Sequence, residues 1–134
     1  MKLTTKRGLG FGITSGVITT LGLMIGLYAG TNSKLAILGG IITIAVADAF
    51  SDSLGIHISE ETTEKSHKKV WQSTFSTFIS KFLTAIIFIV PILFLTLKTA
   101  IITNIIIGIL ILGIFSYILA KTKNKKPWKI VLEH

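Results

Sequence analysis

The chain has 134 residues, half of them hydrophobic and only 15% charged, with a formal net charge of +8 and a mean hydropathy of +0.74. A soluble domain of this size carries about 25% charged residues. Here the charges gather near the two ends and in one central stretch, which is the pattern of a polytopic membrane protein. With no cysteine, a disulfide framework and a thiolate metal site are both excluded. The basic residues flank apolar runs and form no face on a polar domain, which argues against nucleic-acid binding.

The first seven residues are basic, with Lys2, Lys6 and Arg7, and lead into an apolar run over 9–30. That run is long, has no clear cleavage site and is soon followed by a second, so it reads as a retained span and not a signal peptide. Gly12, Gly16, Gly22, Gly26 and Gly30 give it a small-residue stripe, which lets helix backbones approach closely in lipid. The second span covers 35–57 and adds Gly39, Gly40, Ala45, Ala47, Ala49 and Gly55, so spans one and two are expected to pack together. A polar linker over 58–70 follows, and its i,i+4 pairs Glu61–Lys65 and Glu64–Lys68 predict a helical continuation of span two. Spans three and four, over 71–97 and 99–120, are bulkier in Ile, Leu and Phe and are expected to face lipid. Pro91 predicts a kink in span three. A basic tail over 121–134 ends the sequence, with Pro127 marking a helix start and Trp128 an interfacial anchor. The expected fold is an all-α, four-helix transmembrane bundle made of two tight hairpins.

Eleven Lys and Arg residues lie at the termini and in the linker, against Lys34 and Lys98 on the other side. This bias predicts that both termini and the linker are cytoplasmic.

Three ionisable residues interrupt the apolar runs. Asp48 and Asp52 stand four apart, hence on one helix face. Lys81 lies ten residues into span three, and Asp48 lies ten residues before Ile58, so in an antiparallel hairpin the two are level. A lone charge at that depth is costly and is usually paired, which predicts an intramembrane Asp48–Lys81 ion pair. Asp52 has no obvious basic partner, which marks it as a candidate ligand or proton carrier.

Ser15-Gly16-Val17-Ile18-Thr19-Thr20-Leu21-Gly22-Leu23 is similar to the pattern Asp-Gly-[Leu/Ile]-Val-Thr-Thr-x-Gly-Leu in the first helix of the vacuolar iron transporter family. Ala49-Phe50-Ser51-Asp52-Ser53-Leu54-Gly55-Ile56-His57-Ile58-Ser59 resembles that family's Ala-x-Ser-Met-Ala-x-Gly-Glu-Tyr-x-Ser. Ser73 to Phe78, followed by Pro91, resembles its Ser-Phe-x-x-Phe segment and later proline. The matches are in order over roughly residues 8 to 95 of this sequence. The chain departs from the family at Ser15 (aspartate there), Asp52 (methionine), Ile56 (glutamate) and Lys81 (glycine). The long cytoplasmic metal-binding helices are reduced to about a dozen residues, and the family's fifth helix would begin where this sequence ends. The resemblance implies a dimeric exchanger of divalent metal for protons.

Oxygen donors suit Fe2+ and Mn2+. The candidate metal residues are therefore Asp52, Ser51, Ser15 and Thr19, with Asp48 behind them. His57, Glu60, Glu61 and Glu64 are a candidate cytoplasmic entry. The expected function is a membrane transporter moving such a cation out of the cytoplasm, coupled to protons, with the cation as substrate and no tightly bound cofactor. The expected partners are the bilayer and a second copy. The alternatives are a non-transporting structural or interaction protein and a carrier for another small solute. The three histidines are scattered and no nucleophile–base arrangement occurs, so an enzyme is not expected.

Overall fold

The computed structural model describes residues 3–63 and 66–122, and over these the chain is all-helical. Helix α1 covers Leu3–Thr31. Helix α2 (Lys34–Thr43), a π-helical turn (Ile44–Asp48) and α3 (Ala49–Glu61) run on as one rod. Helix α4 covers His67–Phe94 and α5 covers Leu97–Thr122. Among the described residues four helical stretches are long and apolar enough to cross a membrane: Thr5–Thr31, Lys34–Glu61, His67–Phe94 and Leu97–Lys121. The shortest of these, 25 residues, would measure about 37 Å at 1.5 Å per residue, more than the ~30 Å of hydrocarbon in a bilayer. These are the marks of an integral membrane protein.

The breaks between helices have local causes. Asn32 takes a positive φ of 50°, which asparagine tolerates, and its N–H returns to the Tyr28 carbonyl. Ser33 then caps α2 by accepting from Ala36 N–H at 3.1 Å. The linker is shorter than its polarity suggests. Helix α3 runs on to Glu61 as expected, a turn follows at Thr62–Thr63, and Ser66 caps α4. The Glu61–Lys65 and Glu64–Lys68 pairs involve residues outside those described, as do Glu64 itself and the tail beyond Thr122. Pro91 lies in the last turn of α4, where the Leu95 N–H bonds the Pro91 carbonyl at 2.9 Å.

Helix α4 is the centre of the bundle, which corrects the expectation that span three faces lipid. It buries Ser73, Thr77, Ser80, Lys81, Thr84 and Phe88 along one side. The main partner of α1 is α4, with a smaller contact to α2. A Cβ on Gly8 or Gly12 would come within 1.8 Å of the Ser76 or Ser80 hydroxyl oxygen, and within 2.6 or 2.7 Å of the Ser73 or Thr77 carbonyl. Only glycine lets the two helices lie this close. Gly16 packs on Thr84 in the same row, whereas nothing lies within 4 Å of a Cβ at Gly22, Gly26 or Gly30. The glycine stripe therefore works in its first half only, and against span three, not span two. These contacts advance together along both chains, so α1 and α4 run parallel. Helix α5 runs antiparallel to α1, with Phe115 over Gly10, Gly108 against Val17 and Leu21, and Asn104 on Met24.

The π turn has no signature in the sequence. Ile37, Ile41, Ala45, Ala49 and Ser53 are all buried, at steps of four. In a continuous α-helix each such step drifts by about 40°, so four steps would turn the row by about 160°. The wide turn, in which Ala49 N–H reaches back five residues to the Ile44 carbonyl, takes back about 100°, one residue's worth of rotation. The row therefore stays on one side.

Candidate functional site

Close packing of α1 on α4 leaves Lys81 no route to solvent, and its side chain is fully buried. Its ammonium group has three hydrogens and meets three acceptors: Asp48 Oδ2 at 2.6 Å, Asp52 Oδ2 at 2.7 Å and Ser15 Oγ at 2.6 Å. Ser15 passes its own hydrogen to Asp52 Oδ2 at 2.7 Å. Three helices thus supply one centre: α1 gives Ser15, the second span gives both aspartates and α4 gives the lysine. The π turn ends at Asp48, and the α-helix after it keeps Asp48 and Asp52 on one face, both aimed at Lys81. Two carboxylates face one ammonium, so the centre carries a formal charge of −1 when all three groups are ionised.

The level of Asp48 and Lys81, read from ten residues on each side of the linker, corresponds to a direct ion pair. The second expectation is corrected: Asp52 has a basic partner, and it is the same Lys81. Two residues four apart on a helix share a face, so a group that reaches one reaches both.

The other candidates are dispersed. Thr19 Oγ1 donates to the Ser15 carbonyl in its own helix at 2.7 Å. Ser51 is exposed on the outer side of the second span. At the linker end, His57 faces two oxygens, Thr74 Oγ1 and Glu61 Oε1, each at 3.0 Å, and its ring lies 4.6 Å from that of Trp71. Glu60 is buried and turned toward α1, where Arg7 Nη1 lies 3.4 Å from both carboxylate oxygens. Glu60 and Glu61 are thus engaged in different directions. Among the described residues, no three His, Asp or Glu side chains are gathered closely enough to hold a metal ion.

Two polar side chains escaped the sequence reading. Thr20 and Asn104 are fully buried, and Thr20 Oγ1 and Asn104 Oδ1 have no hydrogen-bond partner. The signal for Asn104 is in the sequence, since it is the only amide side chain in the fourth span.

No family model, curated protein or solved structure matches this chain.

Proposed function

We propose that the chain is a multi-pass transporter that carries a divalent cation of the Fe2+ or Mn2+ type out of the cytoplasm in exchange for protons. The observation that supports this reading is the fully buried ammonium of Lys81 shared by two carboxylates. Ionisable groups at membrane depth mark ion paths and proton relays. A cation arriving at Asp48 and Asp52 competes with the ammonium for the same oxygens. The like charge expels one proton from Nζ, and Lys81 continues as a neutral amine. The centre passes from −1 to neutral as one dication enters and one proton leaves. Ser15 supplies a further hard oxygen, in keeping with such a cargo. The resemblance to the vacuolar iron transporters supports the outward direction, and the excess of basic residues supports cytoplasmic termini, in the cell membrane if the source is prokaryotic.

A homodimer belongs to this reading. Gly39, Thr43, Ala47, Ser51 and Gly55 are small, exposed and four apart along the outer side of the second span. Asp48 adjoins this row, and its side chain is one-third exposed. A carboxylate facing lipid is costly. A second copy docked on the row would remove that exposure and bring a second aspartate pair alongside the first.

The test is Mn2+ uptake into proteoliposomes with proton counterflow recorded by a pH-sensitive dye. Asp52→Asn should reduce both fluxes by about tenfold or more, in line with the loss of a charged group on an ion path. Absence of Mn2+-dependent flux in the native protein would overturn the proposal. That all three hydrogens of Nζ are already engaged favours a second reading, in which the centre only locks α1, α3 and α4 together. It expects no flux, and no effect of Mn2+ on melting.

A further inference from the structure

The unpartnered oxygens of Thr20 and Asn104 lie on the side of Lys81 away from the linker. The Asn104 amide can be oriented without ambiguity. Its Nδ2 donates to the Phe88 carbonyl at 2.9 Å and contacts Met24 Sδ at 3.1 Å, so a flipped amide would set oxygen against oxygen. Both amide hydrogens are thereby used, and Oδ1 lacks only a donor. Thr20 differs from its neighbour Thr19, whose hydroxyl returns to its own helix.

The two oxygens continue the line of the ionic centre. Ser15 meets Lys81, and Gly16 lies against Thr84, where an added Cβ would come within 3.0 Å. Thr20 follows one turn later on the same side of α1. One turn further, Met24 meets Asn104, which is bonded to α4 at Phe88. Gly108, a turn from Asn104, packs on Val17 and Leu21. Thr20 therefore stands where α1, α4 and α5 meet, between the Lys81–Thr84 level and the Phe88–Asn104 level. Thr20, Met24, Phe88 and Asn104 are all fully buried.

A buried acceptor left unpaired costs a folded protein stability, and an ordered water with two or more polar partners is the usual remedy. We infer that the Thr20–Asn104 junction binds an internal water, which forms the polar step between Lys81 and the membrane face opposite the linker. The water donates to Asn104 Oδ1 and shares a hydrogen bond with Thr20 Oγ1. The binding site rests on these two unpaired, buried oxygens. Its role, relaying protons between that face and Lys81 by way of the Thr84 level, rests on the exchange reading above.

Radiolytic hydroxyl-radical labelling of the purified full chain tests the site, because radicals formed from a bound water oxidise the side chain beside it. Met24 is fully buried, and the only other methionine is Met1, so oxidation is easily assigned. Met24 should oxidise with dose in the native protein. The rate should fall by about tenfold in Thr20→Val, which keeps the shape and removes the oxygen, and recover in Thr20→Ser, as expected if the water needs its polar partners. No dose-dependent oxidation of native Met24, or an equal rate in Thr20→Val, overturns the site. Asn104→Leu provides a second variant from the other side of the junction. The role is tested separately in proteoliposomes. Thr20→Val should slow proton-coupled Mn2+ uptake while leaving Mn2+-triggered proton release in detergent intact. Undiminished uptake overturns the relay, whereas no uptake in the native protein overturns the exchange reading and leaves the labelling result to decide the water site.

Discussion

Replacing Lys81 by methionine keeps most of the side chain's length and removes its charge. Three contacts of 2.6–2.7 Å disappear, two of them to carboxylates that then face each other without a counter-charge. A hydrogen bond involving a charged group contributes about 1.5–3 kcal/mol, so three give a gross loss of roughly 4–9 kcal/mol. The aspartates are not equally shielded, with Asp48 33% and Asp52 18% exposed against none for Lys81. Because the carboxylates are less enclosed than the lysine, the net figure falls toward the ~3–5 kcal/mol typical of removing one partner from a buried pair. Adding Asp48→Asn and Asp52→Asn to Lys81→Met removes the uncompensated charges, and the triple variant should recover at least half of the loss. Reversible unfolding by sodium dodecyl sulfate in mixed micelles, followed by circular dichroism, measures both changes. A loss below about 1 kcal/mol in the single variant, the range of a surface pair, would refute the account. So would a triple variant no more stable than the single one.

Gly12→Ala should cost about 1–3 kcal/mol in the same assay, because the new methyl meets the Thr77 carbonyl, which cannot rotate aside. Gly22→Ala, with open space around it, should stay within about 0.5 kcal/mol of the native chain. The Arg7–Glu60 contact is long and its arginine half-exposed, so a double-mutant cycle with Arg7→Ala and Glu60→Gln should give a coupling below about 1 kcal/mol, weakening with salt. Since the chain has no cysteine, Ser51→Cys introduces a single thiol on the outer row of the second span. Oxidation in native membranes should convert most of it to a covalent dimer, and a chain that stays monomeric would count against that docking face.

The ionic centre was largely legible in the sequence because depth in a membrane helix can be counted. Asp48 and Lys81 are equally far from the linker, and an unpaired charge there is costly. The four-residue spacing of Asp48 and Asp52 already implied that both reach the same partner. Depth alone pairs Lys81 with Asp48, and the shared helix face adds Asp52. The burial of span three was also foreseeable: its hydroxyl residues Ser73, Thr77, Ser80 and Thr84 recur every three or four positions amid bulky neighbours. A mean count of Ile, Leu and Phe hides that row. Gly22, Gly26 and Gly30 could not be told from Gly12 and Gly16 by spacing, since the difference lies in what stands opposite. The π turn was beyond reach, because Ile44-Ala-Val-Ala-Asp48 suits an ordinary helix equally well.

That turn ties together two surfaces with opposite duties. Inward, it keeps Ile37, Ile41, Ala45, Ala49 and Ser53 in one buried line; outward, it does the same for Gly39, Thr43, Ala47, Ser51 and Gly55. Both rows depend on the same surplus residue. Straightening the turn into an ordinary helix with every residue kept would swing one half of the rod by about 100° relative to the other. If the upper half stayed seated in the core, Asp48 and Asp52 would turn away from Lys81 and the outer row would break at the same point. The shape of the lipid-facing surface and the aim of the carboxylates are thus inherited together, and neither can be re-registered alone.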